Sequence, residues 1–159
     1  MNDTTFTPTQ EQCKRLMAGS GLGVSKTCED TRATDGSGGL YSTGNDMVRW
    51  LRHHLQRDET LALSHAVYRQ RQDIPVSIGF DEGAPMSGLG LGWVYVASNG
   101  AQPSLLTKSG GGVGFMSYAA LAPGRDTAVL VVVSRTDFGI FAPLVGAVNT
   151  LRFAGDPVI

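Results

Sequence analysis

Apolar positions recur at two different spacings along the chain, and the change of spacing divides it. Over the first 39 residues no period is sustained and Thr, Gly, Asp and Ser dominate, so the pattern predicts a loop-rich segment with a short helix near Glu11–Met17. From Thr43 the helical spacing begins: Thr43-Gly44-Asn45-Asp46 has the capping-box form, with Asp46 read as a capping residue. Met47, Trp50, Leu51 and Leu55 then recur on one face, which predicts an amphipathic helix over 44–56. A second helix is expected over Glu59–Gln72, with Leu61, Leu63, Ala66 and Val67 as a less regular stripe and Pro75 as its stop. These two helices fill residues 40–75.

Beyond residue 86 the spacing turns strand-like. Gly88–Val96 ends in aromatic and β-branched residues, Asn99-Gly100 is a hairpin signal, and further strands are expected at Ser104–Ser109, Phe115–Ala122 and Thr127–Ser134. The glycine run Gly110-Gly111-Gly112-Val113-Gly114 and the Pro123-Gly124-Arg125-Asp126 turn keep the connections short, which predicts an antiparallel meander of about four strands over 86–135. Ala128–Val133 is apolar without alternation, as in a strand covered on both faces. Phe141, Leu144, Val145, Val148 and Leu151 then give a closing helix over 138–154, expected to pack on the sheet. The fold class is α+β, in one domain or a piece of one.

Composition narrows the function. With 159 residues, 42% hydrophobic and 17% charged, the chain can bury a modest core. Thirteen Lys+Arg against fourteen Asp+Glu leave a formal charge of −1, and the basic residues are scattered, so nucleic acid is not an expected partner. No apolar stretch reaches the roughly 18–20 residues of a transmembrane helix, and the opening Met1-Asn2-Asp3-Thr4-Thr5 has neither region of a signal peptide. The two cysteines, Cys13 and Cys28, stand 15 positions apart. They either close one loop or are unrelated thiols, and without a nearby His pair they suggest no zinc site. No metal or other cofactor is expected.

The candidate chemistry lies at Lys108-Ser109-Gly110-Gly111, followed by Gly112. A cation, a hydroxyl and side-chain-free backbone follow one another where a strand turns back. Lys108 supplies positive charge, Ser109 can donate to a carboxylate, and the glycines let a ligand approach while their N–H groups stay available to an oxyanion. A glycine-rich turn with an incidental lysine would look the same on these residues alone. His53, His54 and His65 have no serine or carboxylate spacing that demands a triad and are read as structural, and Trp50 and Trp93 as core anchors.

The order of features around this tetrad resembles one family. Gly-Gly-Leu-Tyr-Ser-Thr before a capped helix, Gly-Leu-Gly-Trp on a strand, Lys-Ser-Gly-Gly, a Phe-x-Ser-Tyr strand, an apolar strand and a terminal helix are similar to the C-terminal part of the class C β-lactamase and penicillin-binding protein superfamily. The third motif of that superfamily is Lys-Thr-Gly or a variant such as Lys-Ser-Gly. Within it, the chain most resembles the AmpH-type D-alanyl-D-alanine carboxypeptidase/endopeptidases, through residues 1–7, the Gln-Cys-x-Arg-Leu run at 12–16, Cys28 and the run at 36–43.

The resemblance implies a partial β-lactamase/transpeptidase-like fold and a serine hydrolase of D-Ala-D-Ala peptides or β-lactams. In it Lys108 and Ser109 hold the substrate carboxylate, Gly110 keeps the strand open, the Gly111 N–H is half of an oxyanion hole, and Gly112 is counted with them as substrate-binding. It also implies a periplasmic parent enzyme, and with that a Cys13–Cys28 disulfide.

The family's Ser-x-x-Lys, in which the serine attacks and the lysine takes its proton, has no counterpart here. Glu11, Gly23 and Leu105 stand three residues before Lys14, Lys26 and Lys108. Tyr-x-Asn and Ser-x-Asn are likewise missing, since Tyr41, Tyr68, Tyr95 and Tyr118 precede Thr43, Gln70, Ala97 and Ala120, and no serine has Asn two places on. Both motifs lie N-terminal to the matched region in the family. The expectation is therefore a piece of a serine hydrolase, inactive without an N-terminal half, with Met1 matching an internal methionine. The alternative is a binding or self-associating module that dimerises through an exposed sheet edge.

Overall fold

The computed structural model describes residues 1–21, 28, 35–56, 58–78, 84–100, 102–112 and 114–153. The expected loop at 22–27 and 29–34, Val113 of the glycine run and the last expected helical residue, 154, lie outside the described residues.

The first segment contains α1 (Gln10–Lys14), shorter than its expected span and closed by a capping box in which Thr9 and Gln12 exchange hydrogen bonds. A single helical turn, α2 (Asp35–Gly38), precedes α3 (Gly44–Leu55). Thr43 caps α3 by accepting from the Asp46 N–H. Asp46 is therefore not the cap. Its carboxylate, 2% exposed, accepts from the Asp3 N–H at 2.8 Å and the Thr4 hydroxyl at 2.9 Å, and pairs with Arg49 at 3.2 Å. Burial works against its charge, but these hydrogen bonds and the Arg49 guanidinium hold its carboxyl below the ordinary range. With the antiparallel bridge between Thr5 and Tyr41, it fastens residues 3–5 to the start of α3.

The expected helix over 59–72 is a correction. α4 covers Glu59–His65 only and buries no residue. Its stripe lacks the regular three-and-four spacing of α3, and Leu63 faces solvent. Ala66 turns to extended backbone, and the following residues hydrogen-bond to the sheet, Tyr68 N–H donating to the Leu89 carbonyl at 2.8 Å. Backbone can come this close because Gly90 is opposite: a Cβ there would lie 2.7 Å from the Ala66 carbonyl oxygen.

The sheet has six antiparallel strands in chain order, β1 (Arg69–Gln70), β2 (Gly88–Leu89), β3 (Val94–Val96), β4 (Leu105–Gly112), β5 (Phe115–Ala122) and β6 (Thr127–Val133). The two strands beyond the expected four arise from β1 and from a break in Gly88–Val96. That run folds back on itself, pairing Leu89 with Val94 through a turn in which Gly92 has φ +83°. α5 (Phe138–Phe153) closes the chain.

Alternation along the strands makes two cores. On one face Leu105, Met116, Tyr118 and Ala120 pack with Phe141, Val145 and Phe153 of α5, and Val129, Val131 and Val133 lie against them. On the other, Leu106, Ala119 and Leu121 meet Leu51 of α3 and Trp93, flanked by Trp50, Ala128 and Leu130. Each fully buried apolar side chain contributes about 1.5–3 kcal/mol relative to exposure. The inner stripe of α5 is Phe141, Val145, Asn149 and Phe153, four residues apart, while Leu151, expected on that stripe, is 80% exposed. Asn149 takes an inner place because its side-chain carbonyl accepts from the buried Tyr118 hydroxyl at 2.9 Å.

Candidate functional site

β4 carries all five residues singled out at the site, and its two edges differ. Along β5 it is paired from Leu106 to Gly112, with Lys108 opposite Ala119, Ser109 opposite Tyr118, Gly110 opposite Ser117, Gly111 opposite Met116 and Gly112 opposite Phe115. Along β3 the pairing covers only Leu105, Leu106 and Thr107. Lys108–Gly112 therefore runs past β3, and among the described residues no strand pairs with its other edge. Lys108, Gly110, Gly111 and Gly112 are exposed and Ser109 is half-buried. The Lys108 ammonium donates to the Ser109 carbonyl at 2.8 Å.

Among the described residues this stretch thus keeps one edge without a partner strand, with a cation and a hydroxyl at its base and three glycines in succession beyond them. The pleat places Lys108, Gly110 and Gly112 on the α3 face, with Ser109 and Gly111 on the α5 face. Gly110 is also sterically constrained, since a Cβ there would meet the Ser117 Oγ at 3.1 Å.

Gly114 of the glycine run, with Gly19, Ser20 and Thr136, which carry no signal in the sequence, holds the end of this strand. Gly114 has φ +90°, and its carbonyl accepts from the Ser20 N–H at 3.2 Å. Its own N–H donates to the Thr136 hydroxyl at 3.1 Å, and the Thr136 N–H donates to the Ser20 carbonyl at 2.9 Å. Ser20 Oγ completes the knot on the Ser134 carbonyl at 2.8 Å. Gly19 and Gly114 interlock, for a Cβ on Gly114 would lie 2.9 Å from the Ser20 nitrogen and one on Gly19 2.9 Å from the Gly114 oxygen. A contact across nearly a hundred residues leaves no local signal in the sequence.

Cys13 and Cys28 are joined by a disulfide, with Cα atoms 5.8 Å apart, so the single-loop alternative holds. Trp93 is buried and stacks on Trp50 at 5.6 Å, the anchoring role expected of both. His53 is exposed. His54 and His65 meet each other between α3 and α4, with Nδ1 of the first 2.8 Å from Nε2 of the second. Among the described residues no three His, Cys, Asp or Glu side chains come together as a metal set would, and no helix is long and apolar enough to cross a membrane.

Known proteins share this arrangement. The chain is 38% identical over 156 residues to the D-alanyl-D-alanine-carboxypeptidase/endopeptidase AmpH of Escherichia coli K12, and equally to that of strain O157:H7. Each match covers 95% of this chain and 40% of the relative, so the chain spans about two fifths of the curated proteins' length. It also superposes with a TM-score of 0.85 on the crystal structure of a beta-lactamase/D-alanine carboxypeptidase from Yersinia pestis complexed with citrate, at 41% identity over 95% of this chain and 44% of that one. The beta-lactamase family model matches residues 1–143. With that match over most of its length, the chain belongs to the beta-lactamase family.

Proposed function

We propose that this chain is the substrate-side portion of a penicillin-recognising serine hydrolase that acts on D-Ala-D-Ala peptides or β-lactams. The observation that carries the reading is the exposed Lys108–Gly112 strip, with one edge free beside a cation and a hydroxyl. Lys108 and Ser109 take the substrate carboxylate by charge and hydrogen bond. Gly110 and Gly112 let the substrate lie along β4 as an added strand, and the Gly111 N–H faces the developing oxyanion as one of two donors.

The attacking serine, the base that takes its proton and the second oxyanion donor come from a complementary N-terminal portion. The absence of Ser-x-x-Lys, Tyr-x-Asn and Ser-x-Asn from the sequence supports this division. Without the nucleophile, turnover falls by about six powers of ten in serine hydrolases, so the chain alone is inactive. A periplasmic location of the parent enzyme belongs to the same reading, and the Cys13–Cys28 disulfide supports it.

The test is to join the chain to the part of the E. coli relative that it does not match and follow acylation by a fluorescent penicillin. The joined protein is expected to label at a serine of the added part, and Lys108→Ala to slow labelling at least about a hundredfold, in line with loss of a charged transition-state contact. Labelling at an unchanged rate in Lys108→Ala would remove the site from β4.

A second reading, a self-associating module, is favoured by β6. Among the described residues it pairs with β5 on one edge and with no strand on the other, and Val132 is 48% exposed. Sedimentation at high concentration separates the two: this module dimerises through β6, and Val132→Lys abolishes the dimer. A monodisperse monomer contradicts it.

A further inference from the structure

α4 is a seven-residue helix with no buried residue, and with Leu63 turned outward it has little apolar packing to fix it. A ring pair joins it to α3. His54 Nδ1 lies 2.8 Å from His65 Nε2, and His54 is 8% exposed. Trp50 and Trp93 stand edge-on to His54 at 4.4 and 5.4 Å, and Trp93 also stands edge-on to His65 at 6.2 Å. A hollow lined by Leu55, Asp58, Glu59, Ala62 and Pro123 opens beside the pair and lets water reach it.

Two imidazole nitrogens at this distance need one proton between them. In the neutral pair one ring donates and the other accepts, and a single added proton preserves that bond. A second proton sets N–H against N–H and puts like charges on two touching rings packed against the indoles, so the bond cannot survive. We propose that the His54–His65 pair is an acid-sensitive latch that holds α4 on α3 while it carries at most one added proton and releases it when it takes the second.

The surroundings favour the closed, uncharged state. Burial, then the neighbouring His65 and His53, push His54 down to about 4, and burial lowers His65 from its ordinary value. The ionisable neighbours are His53, whose ring is 6.4 Å from His54 on α3, and Asp58 and Glu59 at the start of α4. The two carboxylates offset part of an added charge, and His53 adds to it. From the sheet side Trp93 and Pro123 bring no charge.

Both rings bind protons less readily closed than open, so the closed state is fully favoured above about pH 6.5 and loses ground as pH falls from there toward about 4. His54 alone then shifts the opening equilibrium by up to roughly a hundredfold at pH 4.5, and water in the hollow reduces this. Release would pass into β1, the two-residue edge strand that follows α4.

Amide hydrogen exchange on the whole chain at pH 7 and 4.5, corrected for intrinsic chemistry, together with NMR titration of the histidine rings, tests the latch. Amides 63–65 are expected to open at least about tenfold more at pH 4.5 while β4 and β5 stay unchanged. His65→Gln, which offers His54 a hydrogen-bonding partner that does not titrate, should lose that response, and His53→Gln should keep it. Equal opening of α4 at both pH values, an unaltered response in His65→Gln, or a His54 ring titrating near 6.5 would overturn the proposal. The ring titration decides alone where a variant does not fold.

Discussion

Replacing Gly114 with alanine strikes the joint that holds the end of the candidate site, and the structure gives its magnitude. At φ +90° a residue with a Cβ loses about 1–2 kcal/mol on the left-handed side of the backbone map. The new methyl would lie 2.9 Å from the Ser20 nitrogen and 3.0 Å from Gly19 Cα. These are main-chain atoms that cannot swing aside, and overpacking of this kind adds about 1–3 kcal/mol. Alanine recovers only about 0.4–1 kcal/mol by restricting the unfolded chain.

The net expectation is a loss of about 1–4.5 kcal/mol, read in urea unfolding as a midpoint lowered by roughly 0.5–2 M at unchanged slope. Gly124→Ala is the control: nothing lies within 4 Å of a Cβ there, and its backbone is not left-handed, so its stability should stay within about 0.5 kcal/mol of the parent. Equal midpoints for Gly114→Ala and Gly124→Ala would refute the reasoning that residues 19–21 are locked onto the β4–β5 hairpin.

Three further outcomes follow from the same contacts. Replacing both Cys13 and Cys28 with serine opens a loop of 15 residues and should cost about 3 kcal/mol in denaturant unfolding; unchanged stability would mean the bridge constrains nothing. Tyr118→Phe strands the buried Asn149 side chain and should lose about 1–3 kcal/mol, whereas adding Asn149→Leu should recover much of it, a pattern that a double-mutant cycle checks. The Asp46 carboxyl titrates below its ordinary 3.8, so its anchoring of residues 3 and 4 is complete above that pH and fades as pH falls beneath it. Residues 3–5 should therefore become protease-sensitive below about pH 4 before β4–β5 does, and simultaneous loss would contradict this.

The elements with strong periods were legible in the sequence. Thr43 and the spacing of Leu51 and Leu55 specified α3, and the short turns between apolar runs specified the order of β3 to β6. What escaped depended on contacts between distant residues. Helical spacing could not show that Ala66 to Gln70 would leave α4 for the sheet, because that choice is made by Gly88 and Gly90 across the pair. Asp46 looked like a cap because its local pattern is that of one, while its partners Asp3 and Thr4 lie some forty residues away. At the site, Lys108 to Gly112 were found as a tetrad with its following glycine, but its free edge depends on β3 being only three residues long. The Ser20 and Thr136 knot behind it had no signature at all.

Mass spectrometry of the isolated chain after incubation with a penicillin tests the central claim most directly. If this chain is the substrate-side portion of a serine hydrolase without its nucleophile, its mass stays that of the unmodified protein at every time and concentration. A stoichiometric acyl adduct on one of its own serines would contradict the account.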